Sequence, residues 1–459
     1  METRVNDFYL KEPVGKLILK FAIPSITALL VSSLYNIVDQ IFIGHGVGYL
    51  GNAATNVVYP ITIIAQAIAL LIGDGCAAYL SICQGKRDLE NAQKSVGNAL
   101  TLMIICAMAV FLFFSCTRDS ILWLFGATEN NIGYTKEYFD YILIGMPLFM
   151  LGGSLPCIIR ADGSPRFAMV ATLTGCVMNI ILDPIAIFVF NMGMKGAAIA
   201  TVLGQIASAG LCVYYLFHAK SFCLTKKDMI LKGSVLKASI PLGISSFLTQ
   251  ISIMINMTVM NNVLVAYGSV SKYGADIPLS VVGIVQKVFG IIIAITVGIA
   301  AGSQPIVGYN YGAGEYGRVK KLYKKMMIAE AAVGLAATLI FECFPLQAIQ
   351  LFGAQKGLYN EYAIIAFRVY FSTSILCCVQ KGTSIFMQAL GKPVISMGLS
   401  LLRDFVLCVP LILLLPLKLG IYGPVFSAPL SDIISFIAVI AVMRYLKKLL
   451  TANYNSKSR

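Results

Sequence analysis

Asn179-Ile180-Ile181-Leu182-Asp183-Pro184 places an amide, a carboxylic acid and a proline inside an apolar stretch running from Phe167 to Phe190. If that stretch lies in lipid, the acid costs roughly a few kcal/mol, so it requires a partner, a cavity or a function. Asn179 and Asp183 stand one helical turn apart and share a face. Pro184 has no N–H, which frees the Ile180 carbonyl to face a cavity, water or an ion. For this stretch alone, a kinked helix with a buried, protonated acid is an equal alternative.

The elements that position these groups are membrane spans. With 58% hydrophobic residues, 12% charged residues and a mean hydropathy of +0.82, the 459 residues do not fit a water-soluble globule. Apolar runs long enough to cross a bilayer are expected at 21–44, 53–82, 96–116, 137–158, 167–190, 196–217, 239–266, 279–308, 326–346, 361–388, 395–415 and 422–443. The expected fold is an all-α integral membrane protein of twelve transmembrane helices. Of the 35 Lys and Arg residues, about 25 fall in loops on the side of both termini and about 6 on the opposite side, which predicts cytoplasmic termini. The net charge of +14 then faces anionic lipid, and short loops between spans supply no nucleic-acid surface. The first apolar run is a full span without a small-residue cleavage site, unlike a secretory signal.

Twelve cysteines, most of them inside spans and with no CxxC, are expected to be core-filling thiols. His45 and His218 fall on opposite sides of the membrane and cannot share a metal; surface loop roles are expected for both.

Repetition divides the chain. Lys20-Phe21-Ala22-Ile23-Pro24-Ser25 recurs as Lys237-Ala238-Ser239-Ile240-Pro241-Leu242, and Phe125-Gly126-Ala127 as Phe352-Gly353-Ala354. Ala161-Asp162-Gly163-Ser164-Pro165 matches Ala389-Leu390-Gly391-Lys392-Pro393, and Gly193-Met194-Lys195-Gly196 matches Gly420-Ile421-Tyr422-Gly423. Two six-helix bundles follow, 1–218 and 237–459, joined by a cytoplasmic linker at 219–236 and related by a pseudo-twofold axis along the membrane normal. Two packed bundles around a cleft suit alternating access.

Asp39, Asp183 and Thr201 fall in one layer, roughly 8 to 11 Å below the outer edge at the rise of an α-helix, and Asn179 lies one turn deeper. The repeat offsets carry these positions to Asn256, Val406, Pro410 and Ala428, where no carboxylate stands. Two neighbouring carboxylates in a dry pocket cannot easily both be charged, so one takes a proton or the pair takes a cation such as Na⁺. Either event changes the local charge and can bias a bend at Pro184. The competing interpretation is a structural hydrogen-bonded cluster joining three helices.

At these residues the chain resembles the multidrug and toxic compound extrusion (MATE) transporters, most closely the bacterial branch that includes the staphylococcal exporter. The resemblance is carried by the Ile-Pro near the start of each half, Asp39, Gly85-Lys86-Arg87-Asp88, the Ala161–Pro165 turn and the Asn179…Asp183-Pro184 stretch. It implies a cation-coupled antiporter of the plasma membrane that exports organic cations and other amphipathic compounds in exchange for H⁺ or Na⁺. It implies coupling at Asp39, Asn179, Asp183 and Thr201, with no cofactor and no resident metal. Relatives with a second cation site use an acid in helix seven; here that region offers Gln250, and helix ten carries Lys381, so coupling is assigned to the first half.

Small-molecule cargo and membrane lipid are the expected partners, and a monomer is the expected state. Tyr35, Tyr59, Met146, Met150, Met254 and Met257 are candidates for an adaptable cation pocket, although Met at helical spacing is more often core. Asp74 is expected at a solvated inner-leaflet position or a cytoplasm-facing cavity. Arg403-Asp404 is expected to be structural or to line the cleft. Lys287, Arg368, Lys381, Glu330, Glu342 and Asp432 are expected to pair or snorkel. The chain has no GxxxxGK[ST], GxSxG or HExxH, so an enzyme is not expected. An intramembrane aspartyl hydrolase and a channel lack supporting features. The alternative function is a lipid-linked oligosaccharide flippase of the same superfamily, which wants a strongly cationic cavity.

Overall fold

The computed structural model describes residues 8–274, 276–350 and 357–457, without the side chains of 453–457. After a single turn at Phe8–Lys11, the first half comprises α1 (Val14–Gly46), α2 (Tyr49–Gly85), α3 (Leu89–Leu124), α4 (Ile132–Ala161), α5 (Pro165–Pro184) and α6 (Gly193–Leu216). The second half comprises α7 (Gly233–Ser269), α8 (Asp276–Gly312), α9 (Tyr316–Cys343) and α10 (Leu358–Phe371 with Ser374–Ala389). It ends with α11, built from Pro393–Leu401, a π-helical Leu402–Leu407 and Cys408–Leu414, and α12 (Gly423–Lys457). The apolar stretch Pro393–Ala452 is 60 residues long, but Gly420 at φ +56° turns the chain and α11 packs back on α12, so it makes two crossings.

Each expected span coincides with one of these twelve helices, and most helices overrun the span by several residues. The span 361–388 is broken, bending by 43° between Phe371 and Ser374. No proline causes it. The freed Phe371 carbonyl is taken by the Thr338 hydroxyl (2.9 Å) and the Ser374 hydroxyl (2.9 Å), which makes the break affordable in lipid.

The repeat is visible in the backbone. Pro165 and Pro393 each open a helix after turns in which Gly163 and Gly391 take φ +83° and +72°, a region closed to most side chains. Gly193 and Gly420 match in the same way at φ +55° and +56°. Phe352-Gly353-Ala354 lies outside the described residues.

One hydrophobic core fills the first half around Ile61, Phe139 and Ile158; two others occupy the second half, around Phe367 and around Phe386. The core around Phe386 also takes in Tyr9, Leu17 and Phe21 from the start of the chain. The α6–α7 connection is bound to the first half. Asp162 accepts from the backbone N–H groups of Lys220 (2.7 Å) and Ser221 (3.0 Å) and from the Tyr215 hydroxyl (2.6 Å), while Asn98 Nδ2 donates to the carbonyls of Asp228 (3.0 Å) and Ile230 (3.1 Å). Burial pushes the Asp162 carboxyl above the ordinary carboxylate range, although each of these donors favours its charged form.

The halves meet along a seam of small residues. A Cβ on Gly85 would stand 2.1 Å from the Tyr309 carbonyl oxygen, one on Gly312 2.2 Å from that of Ile82, and one on Gly243 1.8 Å from that of Leu71. Gly243→Ala is therefore expected to lower stability by about 1–3 kcal/mol, as overpacking does, while Gly283→Ala, with nothing within 4 Å of its Cβ, should not. Thermal unfolding of the two variants in detergent measures the difference.

Candidate functional site

Asp39 comes from α1, Asn179 and Asp183 from the last turns of α5, and Thr201 from the third turn of α6. The structure brings all four together. The Asn179 amide donates to Asp183 Oδ1 (3.3 Å) and to Thr201 Oγ1 (3.1 Å), and the carboxyls of Asp39 and Asp183 lie within hydrogen-bonding reach of each other. Asp183 is 0% and Asn179 2% exposed. Pro184 ends the α-helical part of α5, and the chain continues as a wider π-helical turn, Ile185–Val189, which carries it to the start of α6.

Three oxygens in this pocket have no hydrogen-bond partner: Asp39 Oδ1, Asn179 Oδ1 and Asp183 Oδ2. Buried acceptors without donors are costly, so a donor or a cation is the natural occupant. The set is all oxygen, which suits H⁺ or a hard monovalent cation. Among the described residues no group of three His, Cys, Asp or Glu side chains forms a metal cluster.

Two tyrosines complete the surroundings. Tyr138 of α4 turns its hydroxyl to Thr201, and Tyr35 stands beside Asp39, Asp183 and Cys176. Tyr35 was a cargo candidate; it lies against the acid pair. Tyr138 carries no signal of its own in the sequence, being an aromatic on an apolar helix, and only the folded pocket reveals it.

The other cargo candidates separate. Tyr59 and Met257 are exposed at 48% and 41%, and Met254 is half-buried. Met146 and Met150 are 1% and 0% exposed within the first-half core. A cavity of about 320 Å³ does lie between the halves, at the end away from the termini, lined by Gln40, His45, Asn52 and Lys287 among others. His45, expected in a surface loop, is on the last turn of α1 and part of that wall.

The second half is not free of acids near the mirrored level. Asn256 donates to the Asp404 carbonyl (2.5 Å), which the π-helical turn of α11 has released. Asp404 is held by Lys381 and by Arg403 Nη1 (2.8 Å), and Arg403 Nε reaches Asp432 Oδ1 (2.7 Å), whose other oxygen accepts from Thr373 (2.8 Å). Two bases and two acids thus neutralise one another inside the bundle. The repeat offsets do not lead to them: Lys381 and Asp432 are equivalent to no residue of the first-half site, and Asp404 lies two residues before Val406, the equivalent of Asn179.

Asp74 is half-buried and has a partner. Its Oδ2 accepts from Ser246 of α7 (2.8 Å), linking the halves beside the glycine seam. Arg368 pairs with Glu342 at the surface (3.9 Å).

The MatE family profile matches residues 24–185 and 246–414, one block in each half. The "Multidrug export protein MepA" of Staphylococcus aureus (strain MSSA476) is 24% identical over 449 residues, which covers 97% of each chain. A solved structure described as the outward-facing conformation of a multidrug resistance MATE family transporter of the MOP superfamily superposes with a TM-score of 0.89 at 23% identity, over 99% of this chain and 100% of that one. A MATE crystal structure in the bent conformation gives a TM-score of 0.89 at 24% identity, over 100% of both chains. The solved structures establish the fold, twelve helices in two lobes. The profile, spanning most of both halves, establishes that the chain belongs to the MatE family of membrane transporters.

Proposed function

We propose that this protein is a secondary antiporter of the plasma membrane, exporting organic cations and other amphipathic small molecules by alternating access in exchange for H⁺ or Na⁺. The observation that carries the proposal is the pocket in which Asp39, Asn179, Asp183 and Thr201 meet with three acceptor oxygens unpaired. One cation can meet all three oxygens, one proton bridges the two carboxyls, and an empty pocket holds two mutually repelling charges. Occupancy therefore changes the packing energy of α1 against α5. Such a difference between two states is what an ion gradient needs to drive a conformational cycle. The multidrug export named for the staphylococcal relative supports the cargo class.

Residues 1–218 and 237–459 form the moving lobes in this mechanism, and both termini face the cytoplasm, where the basic loops meet anionic lipid. The flippase alternative is disfavoured by the pairing of Lys381 and Arg403 with acids, which leaves their charge unavailable to a pyrophosphate.

Ethidium efflux from proteoliposomes, with a pH gradient imposed in one arm and a Na⁺ gradient in the other, tests the proposal. Efflux that accelerates at least about tenfold under one gradient is expected, an effect of about 1.4 kcal/mol. Dye movement indifferent to both gradients would overturn the antiport.

A further inference from the structure

One acid of the second half is left out of the quartet. Glu330 stands midway along α9, 0% exposed, and neither of its carboxyl oxygens has a hydrogen-bond partner. Thr296 of α8, also 0% exposed, is the polar side chain turned towards it, and that hydroxyl is already donated to the Cys378 sulfur (3.2 Å).

The walls are close. A Cβ on Gly382 of α10 would lie 2.9 Å from Glu330 Cγ, and one turn along α9 a Cβ on Gly334 would lie 2.5 Å from the Ile375 Cα. Two glycines thus let α9 and α10 close over the carboxyl from one side while α8 closes the other.

No base is at hand to hold a charge there. Around Glu330, α8 presents Thr296 and α10 presents Cys378, with Asp432 of α12 and Arg403 of α11 beyond that thiol. Arg403 and Lys381 are committed to Asp404 and Asp432. A bare carboxylate without donors in the bilayer core is far costlier than the neutral acid. Two carboxyl oxygens and one hydroxyl are too few to replace the hydration shell of a metal cation.

We propose that Glu330 is a proton-binding site of the second half, a neutral carboxyl about one helical turn inside the start of the expected span 326–346, separate from the Asp39–Asp183 pocket. The proton is enclosed as long as α9 and α10 stay packed at Gly334 and Gly382. Its exchange with water requires those helices to part. Each half then carries its own titratable carboxyl, a neighbouring pair in the first and a single acid sealed within the bundle in the second. The site goes beyond the coupling mechanism proposed above and does not depend on it.

Infrared spectroscopy of the full chain in proteoliposomes at neutral pH reads the site directly through the C=O stretch of protonated carboxyls. Glu330→Gln should lose one band that the double variant Asp39→Asn/Asp183→Asn keeps. An unchanged band in Glu330→Gln would overturn the site, whatever the double variant does to transport. Should Glu330→Gln fail to insert, Glu330→Asp serves: the shorter acid is expected to shift the same band, and a spectrum identical to that of the wild type would overturn the proposal.

Discussion

Proteoliposomes carrying Asp183→Asn are expected to lose gradient-driven export, falling at least about tenfold towards the leak of protein-free vesicles, while the protein still folds and inserts. The amide is nearly isosteric with the protonated acid and keeps an oxygen for the Asn179 amide, which now sits 3.3 Å from Asp183 Oδ1. The substitution should therefore cost about 1 kcal/mol or less in stability. What it removes is the second charge. Asp39 alone has no neighbouring carboxylate to repel it, so loading and unloading an ion no longer alters the balance between α1 and α5. Asp39→Asn should behave alike, since the pair shares one function, and the double variant should be no worse than either single one. Dye export measured under the gradient that drives the wild type, alongside detergent thermal unfolding, separates this loss from misfolding. Wild-type export by either single variant would remove both acids from the mechanism.

Arg403→Ala is expected to be the most damaging single change to the second half, costing about 3–5 kcal/mol of stability. Its guanidinium is shared by Asp404 at 2.8 Å and Asp432 at 2.7 Å, and all three residues are at most 8% exposed. Truncation leaves Lys381 facing two buried carboxylates. The pairing pattern supplies a sharper test. Arg403→Met combined with Asp432→Asn removes one charge of each sign and leaves Lys381 with Asp404, still neutral overall. The combined variant should recover most of what Arg403→Ala loses, because an isosteric apolar replacement of a buried pair is often nearly neutral. Thermal unfolding of the three proteins in one detergent gives the comparison, and a double variant as unstable as Arg403→Ala would show that the network is held by something other than charge balance.

Long apolar runs made the twelve helices legible, because lipid demands that every backbone group be satisfied within its own helix. The common level of Asp39, Asp183 and Thr201 was legible for a related reason: α1 and α6 are regular over the intervals concerned, so counting residues counts ångströms there, and the short π-turn Ile185–Val189 did not carry Asp183 away from them. The offset pointed to Val406 and Pro410, whereas the charges of the second half sit on Asp404 and Lys381, the latter on a helix to which no residue of the first-half site maps. Partnerships across helices left no trace either. Asp74 looked like a lone acid until Ser246 arrived from the other half, and nothing in the order of residues announces that Tyr138 will face Thr201. Met146 and Met150 are buried in the first-half core, in keeping with the expectation that Met at helical spacing is more often core than pocket.

The first helix belongs to neither half alone. Its opening turns, with Leu17 and Phe21, are cemented into the core around Phe386, whereas Asp39 near its far end answers to Asp183, and Pro24 stands in the rod between them. A lever fixed at its foot and tugged at its tip must transmit or absorb whatever happens at the tip. Any pull on Asp39 thus acts on a rod whose other end is held by the second half, and Pro24, which donates no backbone N–H, is the residue between them where the helix is least tied.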